Sequence, residues 1–458
     1  MKAEQAAPDF AHSAVAGITW PPLLAGEAAN LAALLYQLDQ TQWLSADALA
    51  LRQHRQLVEI AVHAEAHSTH FRARLQAAGL RPEQLSTLAG LCRLPVMRRR
   101  EVQLAGDTLY CTQIPRAHAP IAEARTSGSS GEPVAVKRTE VNRLMWLAMT
   151  LREHLWQRRD FSGRLAVIRA GIQDGNEDWP SWGPPASLLF DTGTSHGLAI
   201  NTDIARQFGW LHAIDPDYLL VYPTALAALL DLFERSGQQL ARLRQIRTIG
   251  ETLSPAVREA AQRVLGAGIA DTYSSEEAGV IAIQCPESEL YHVMAESLIV
   301  EILDEQDAAC APGQTGRVVV TDLHNFATPL IRYDLGDYAE VAVACPCGRG
   351  LPALRRIAGR RRNMMRLPDG RAFWPLVGYR RYAEIAPIRQ YQLIQRETDS
   401  IEVRLVSAAP LSADQERRIA DLICAALDYP FKLNFIYFAE QIPRSPGGKF
   451  EEFVCALA

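Results

Sequence analysis

The first residues that could do chemistry lie at 125–133, RTSGSSGEP, where Thr126, Ser127, Ser129 and Ser130 are interleaved with Gly128 and Gly131. Glycine accepts positive φ and lets the backbone approach a ligand closely. Successive N–H groups in such a turn form a nest that suits a phosphate. A flexible Gly/Ser linker has the same composition, so this loop alone leaves both readings open. Further on, 271–279 reads DTYSSEEAG, with Asp271, Tyr273 and Ser274 ahead of the acidic pair Glu276 and Glu277. The stretch 328–337, TPLIRYDLGD, ends on Asp337; 359–363 reads GRRRN; and 443–449, PRSPGGK, carries Lys449. A carboxylate such as Glu277 offers hard oxygen to Mg²⁺. A lysine supplies positive charge where anionic groups are brought together.

A second constellation is of another kind. Cys345 and Cys347 flank Pro346, with Cys285 and His292 upstream. Three thiolates and one imidazole would close a tetrahedral zinc site of the structural type. Unpaired buried cysteines are the alternative, and C-x-C is tighter than the usual zinc-site spacing.

These residues need elements to hold them. From about 23 to 100 the chain reads as helical, with Leu31, Leu34, Leu35 and Leu38, then Leu57, Ile60, Ala61 and His67, at three- and four-residue spacing. An alternating stretch at 134–138 reads as a strand leaving the hydroxyl-rich loop. Between 140 and 270, short apolar runs at 165–168 and 219–222 alternate with helical segments at 225–235 and 255–265, which suggests parallel strands with crossover helices. From 290 to 345 short strands and turns suggest a smaller β-rich subdomain. Past Gly359, two strands, a helix and a further strand make a small α+β domain. The expected fold is therefore α/β: a large domain over 1–358 with mixed or parallel sheets and a β-rich part near 290–350, and a small mobile lid over 359–458.

Composition sets outer limits. The 458 residues allow two or three domains, and 48% apolar with 22% charged residues is ordinary for a globular enzyme. A net charge of −5 and a pI near 6.2 argue against a molecule-wide nucleic-acid surface. The arginine runs 98–100 and 355–366 read as solvated faces. No signal-peptide core and no apolar run of membrane-spanning length is present, and the eight cysteines are scattered, so the cytoplasm is the default expectation and no membrane partner is expected.

The order and spacing of these stretches resemble the adenylate-forming superfamily of acyl- and aryl-CoA synthetases, peptide-synthetase adenylation domains and luciferases, and within it the phenylacetate–CoA ligase branch. The resemblance covers nearly the whole chain. It implies that Thr126, Ser127, Gly128, Ser129, Ser130 and Gly131 hold the β- and γ-phosphates of ATP, and that Tyr273 lies against the adenine. It implies that Glu277 holds Mg²⁺, and that Asp337 takes the ribose hydroxyls with Arg360 beside it. Gly250, Glu251 and Thr252 match the family's loop near the adenine, Asp271 and Ser274 flank Tyr273, and Lys449 matches the lysine of the adenylation step. The implied partners are a small carboxylic acid, ATP, Mg²⁺ and CoA, with a carrier-protein thiol or an amine as alternative acceptors; a homodimer is left open. Some members of that branch look similar at the cysteine cluster, which supports zinc there. Phe190, His196, Tyr222 and Gly279 are the candidate lining of an acid pocket between 186–198 and 249–279.

The sequence departs from the pattern in five places. Glu276 stands where threonine precedes the catalytic glutamate, and Ser274 replaces a glycine. Arg362 and Asn363 replace the acidic pair after the hinge. Residues 367–370 lack the Arg–Gly of the thiolation loop, and no lysine follows Gly131. Neither a GxxxxGK[ST] loop nor a G-x-S-x-G elbow is present, which sets aside a P-loop NTPase and a serine hydrolase. A non-catalytic nucleotide-binding homologue would not require both Glu277 and Lys449.

Overall fold

The computed structural model describes residues 13–125, 134–172, 175–360, 364–373, 382, 385–407, 409–444 and 450–457. Capped amphipathic helices open the chain. Ser45 caps the helix Ala46–His67 by accepting from Ala48 N, and Ser68 does the same for Thr69–Ala78, which stops at left-handed Gly79. Leu57, Ile60, Ala61 and Ala64 recur on one face and pack with Phe71 and Leu75 against Ile299, Leu323 and Ile331. The helical region is thereby fastened to strands more than 200 residues away.

Strands β1 (Ile121–Arg125) and β2 (Ala135–Thr139) pair antiparallel, with Arg125 opposite Ala135. Residues 126–133 connect them and lie outside the described residues. Thr139 then opens the helix Glu140–Trp156 through a capping box with Asn142.

A twelve-stranded mixed sheet forms the body among the described residues. Its strands are β3 (Leu165–Arg169), β4 (Asn176–Trp179), β5 (Ser195–Ala199), β6 (Tyr218–Val221), β7 (Gln245–Ile249) and β8 (Gly268–Ser275). They continue as β9 (Gly279–Gln284), β10 (Tyr291–Val293), β11 (Leu298–Leu303), β12 (Thr315–Asp322), β13 (Tyr333–Val341) and β14 (Ala353–Arg360). The order across the sheet is β11-β12-β13-β14-β10-β9-β8-β7-β6-β3-β5-β4. Strands β5, β3, β6, β7 and β8 are mutually parallel, and β8 turns antiparallel to β9. Alternation along the parallel strands sends Ala166, Ile168, Leu219 and Val221 to a core under the helices Pro223–Ser236 and Pro255–Leu265, and Val167 and Leu220 to the opposite face.

The β-rich stretch expected as its own subdomain is instead the antiparallel half of this same sheet. Three-residue β10 pairs with both β9 and β14 and carries the ladder across. Gly359 and Arg360, where the domain boundary was expected, belong to β14 of the large sheet.

Strands β15 (Met365–Arg366) and β16 (Ala372–Phe373) make a short pair. Beyond them β17 (Ile388–Glu397), β18 (Ser400–Ser407), β19 (Lys432–Phe438) and β20 (Phe453–Cys455) form a four-stranded sheet in the order β19-β18-β17-β20. The helix Ala413–Ala426, capped by Ser412, buries Ile419 and Ile423 against it. Its core, from Met365 to Phe453, is separate from those of the large sheet. No helix among the described residues is long and apolar enough to cross a membrane.

Candidate active site

Strand β8 is the seam between the parallel and antiparallel halves, and its end carries the residues expected at the nucleotide. Although three strands separate β8 from β13 in the sheet order, the Tyr273 hydroxyl donates to Asp337 Oδ2 at 2.8 Å. The sheet must curl to allow this. Asp337 faces Arg360 across the β13–β14 ladder, with Asp337 Oδ1 3.3 Å from Arg360 Nε. Burial pushes the Tyr273 phenol well above its ordinary pKa, and the Asp337 carboxylate adds to the shift. Burial opposes the charge on Arg360, but Asp337, Glu277 and Glu451 outweigh it and raise its pKa.

Glu277 lies in the turn from β8 to β9, which closes at left-handed Gly279 with φ 76°. Its side chain is 2% exposed and pairs with Arg99, whose Nη1 stands 3.1 Å from Glu277 Oε1. Glu276 points the other way: its side chain is 61% exposed and sits 3.5 Å from Arg138. The two neighbouring carboxylates therefore face different surroundings. Tyr333 is fully buried, its hydroxyl has no hydrogen-bond partner among the described residues, and burial followed by Glu277 raises its pKa.

Arg99 was hidden in a run expected to be solvated. Arg98 reaches Asp334 at 2.7 Å, and Arg99 goes inward at the start of the helix Arg99–Ala105. A signal existed, since cations in a first helical turn oppose the helix dipole and so call for a partner.

Other expected site residues have separate tasks. Asp271 is buried and accepts from Thr248 Oγ1 at 2.6 Å and from the Tyr291 hydroxyl at 2.8 Å, so its carboxylate serves the sheet interior. Ser274 is partly buried in β8, and Thr252 is exposed. Glu251 follows Gly250, at φ 78°. Its Oε2 accepts from the N–H and hydroxyl of Thr224, at 3.0 and 2.7 Å, and its Oε1 accepts from Phe450 N at 2.7 Å. Both oxygens are thus engaged by protein. Burial raises the Glu251 carboxyl, with Arg444 opposing.

The four residues expected to line an acid pocket stand in different surroundings. Phe190 stacks on Phe161, with centroids 4.7 Å apart, in the main core. His196 lies between Asp178, at 2.6 Å, and Thr194, at 3.1 Å. Tyr222 is in the core beneath the crossover helices, and Gly279 is in the β8–β9 turn. Phe190 and His196 answer to partners that sequence position does not reveal. Residues Thr126, Ser127, Gly128, Ser129, Ser130, Gly131 and Lys449 lie outside the described residues.

The cysteine cluster does assemble. The ligand atoms of Cys285, His292, Cys345 and Cys347 all lie within 4.8 Å of one another. Cys285 and Cys345 Sγ are 3.7 Å apart, and Cys347 Sγ is 3.2 Å from His292 Nε2. Zinc–sulfur bonds of about 2.3 Å at tetrahedral angles place two sulfurs about 3.8 Å apart, so the spacing fits. Burial lowers the His292 pKa to about 4, keeping a neutral ring. Arg349, two residues beyond Cys347, stacks on Trp43 and Trp156, and Trp156 meets the His292 ring edge-on.

No family model matches the chain. The phenylacetate-coenzyme A ligase of Escherichia coli (strain K12) is 24% identical over 446 residues, covering 90% of this chain and 96% of that protein. That of Aromatoleum evansii is 25% identical over 343 residues, covering 72% and 74%. Among solved structures, 2-hydroxyisobutyryl-CoA ligase in its postadenylation state superposes with a TM-score of 0.71 at 20% identity, covering 90% of each chain. The same ligase in its thioesterification state gives 0.59, at 20% identity over 90% of this chain and 91% of that one. The chain is thus similar over most of its length to phenylacetate-coenzyme A ligases, and it shares the fold of 2-hydroxyisobutyryl-CoA ligase.

Proposed function

We propose that this protein is an AMP-forming acid–thiol ligase, which activates a small carboxylic acid as its acyl-adenylate, releases pyrophosphate and passes the acyl group to CoA. The observation that carries the reading is the buried chain Tyr273–Asp337–Arg360 beside Glu277, at the seam of a fold shared with CoA ligases. In the first step a substrate carboxylate oxygen attacks the α-phosphorus of ATP and pyrophosphate leaves. Two anions approach, so positive charge must gather there. Lys449 supplies part of it, and Asp337 takes the ribose hydroxyls with Arg360 fixing its orientation. The residues present also fit a magnesium ion: Glu277 is a buried hard-oxygen donor, and close to it in charge interaction is the Tyr333 hydroxyl, which has no hydrogen-bond partner among the described residues. When bound, the ion neutralises phosphate charge. Attack of the CoA thiol on the acyl carbon then expels AMP. A carrier-protein thiol or an amine is the alternative acceptor. The hydroxyl-rich 126–131 loop, at the end of the β1–β2 hairpin, is assigned to the leaving pyrophosphate.

Two structural proposals accompany this. The Cys285–His292–Cys345–Cys347 cluster holds a structural zinc ion. The end of β14 is the boundary between the large unit and the small one. ATP–pyrophosphate exchange across a panel of aryl and fatty acids tests the function. Acid-dependent exchange is expected, and its abolition in Lys449→Ala with ATP binding retained; a protein that exchanges with no acid is a nucleotide-binding homologue instead.

A further inference from the structure

Arg99 is placed against Glu277 by its neighbours in the chain and not by the ion pair alone. Met97 N donates to Arg332 O at 2.7 Å, and Asp334 N donates to Met97 O at 2.9 Å. The chain therefore enters the helix Arg99–Ala105 fastened beside Tyr333. On either side of Arg99, Arg98 reaches Asp334 at 2.7 Å and Glu101 meets His70 at 3.1 Å and Arg74 at 3.6 Å. The guanidinium is thus delivered to a carboxylate whose side chain is 2% exposed, with Nη1 3.1 Å from Glu277 Oε1. A second observation shows that this pair is not self-contained. The Tyr333 hydroxyl, which feels the charges of both Glu277 and Arg99, is buried and has no hydrogen-bond partner among the described residues.

A buried carboxylate with no cation beside it takes up a proton, and a protonated carboxyl is no ligand for a hard cation. A cation already in contact keeps the carboxylate ionised, but it also competes with a metal for the same oxygens. We propose that Arg99 is a resident counter-ion: it holds Glu277 ionised in the nucleotide-free protein and lowers the affinity of that carboxylate for a bare divalent cation. This rests on the assignment of magnesium to Glu277 above and adds an order of loading to it. Arg99 gives way to an ion that arrives with a polyphosphate, whose anionic oxygens offer its fork a new bidentate acceptor. Against a bare ion, which offers no such acceptor, it keeps its place.

The test uses the full chain, with zinc supplied to the cysteine cluster so that it does not take up the probe. Mn²⁺ alone, without nucleotide, is titrated at about pH 8, above the ordinary carboxylate range, and the free ion is followed by electron paramagnetic resonance. Arg99→Gln is expected to bind Mn²⁺ about tenfold more tightly than wild type, since one contacting positive charge has been removed from a partly buried site. Arg99→Lys keeps the charge and should stay near wild type. The tighter binding should vanish in the double variant Arg99→Gln with Glu277→Gln, which a merely loosened fold would not predict. Unchanged or weaker Mn²⁺ binding in Arg99→Gln, or tighter binding that survives in the double variant, would overturn the proposal. If Arg99→Gln does not fold, Arg99→Met, which keeps much of the side-chain volume, decides by the same measurement. No turnover is needed for any of these readings. A wild type that exchanges pyrophosphate with no acid would count against the ligase reading, while the Mn²⁺ titration would still decide the role of Arg99.

Discussion

Two buried polar clusters occupy the β13–β14 hairpin, and they are built on opposite principles. At one end Asp337 has Arg360 and the Tyr273 hydroxyl, and nearby Glu277 has Arg99: each acid is answered by a protein donor. At the turn end, Cys345 and Cys347 meet Cys285 and His292, and four lone-pair donors face one another. Groups already matched by the protein can bind a ligand only by exchanging partners, which suits a site that turns over. Four like donors gain cohesion only from a cation they share. The second cluster draws its members from β10, the end of β9 and the β13–β14 connection, so an ion there would pin the short strand that links β9 to β14. On the proposed function, the difference separates a reacting end from a fastening end of a single hairpin.

The sharpest way to break this comparison is Glu277→Gln. It keeps the shape and removes the anion, so pyrophosphate exchange should fall on the order of 100- to 1,000-fold, the usual cost of one electrostatic stabiliser in a transition state. Thermal stability should fall as well, because Arg99 loses its buried ionic partner, so the assay is run on a variant shown to be folded and to bind ATP. A variant that exchanges normally would remove Glu277 from the reaction.

At the other end, elemental analysis should find about one zinc per chain, and Cys345→Ser should lose most of it together with thermal stability. ATP binding at the folded protein should survive, because the serine lies at the far end of the hairpin from Asp337. A metal-free wild type of equal stability would dispose of the zinc assignment.

A third buried acid tests the pairing rule itself. Asp322 accepts the His324 N–H at 2.8 Å and the Asn142 side-chain amide at 3.3 Å, with no guanidinium hydrogen-bonded to it among the described residues. Burial raises its pKa from 3.8 to about 6, with the backbone donors and Arg138 only partly opposing. Between those values the native state binds more protons than the unfolded chain, so stability falls as pH rises from about 4 to about 6 and then levels. The total is at most about 3 kcal/mol, at about 1.4 kcal/mol per pH unit. Asp322→Asn should remove that slope, leaving a fixed offset from its altered contact with Asn142. Urea midpoints at pH 4.5 and 7.5 measure it; an unchanged slope would place the titration elsewhere.

Much of this architecture is legible locally. Ser254 ahead of Pro255 marks a helix that the structure runs over Pro255–Leu265, and the apolar run at 165–168 becomes β3. The Cys/His set also assembles from residue type alone. What escapes depends on distant partners. Strand β8 reads DTYSS, too polar for a buried strand, until Thr248 and Tyr291 satisfy Asp271 and Asp337 satisfies Tyr273. Nothing near Phe190 announces Phe161 beneath it, and nothing near Glu251 announces a backbone N–H 199 residues later. On the proposed function, motif order points to the nucleotide end; only the folded sheet distinguishes residues that would face it from those that hold it up.

Glu276 puts that distinction to its smallest test. It adjoins Glu277 in sequence, yet the turn from β8 sends one carboxylate inward to Arg99 and the other outward to Arg138. An exposed pair of this kind contributes about 0–1 kcal/mol. Glu276→Thr should therefore change exchange by less than about twofold and leave its magnesium dependence in place, since screening by water weakens a charge at that exposure. Titrating magnesium in the exchange assay reads this directly. A tenfold shift in the magnesium requirement would mean that Glu276 turns inward when nucleotide binds, and the reacting end would then carry one acid that no arginine holds.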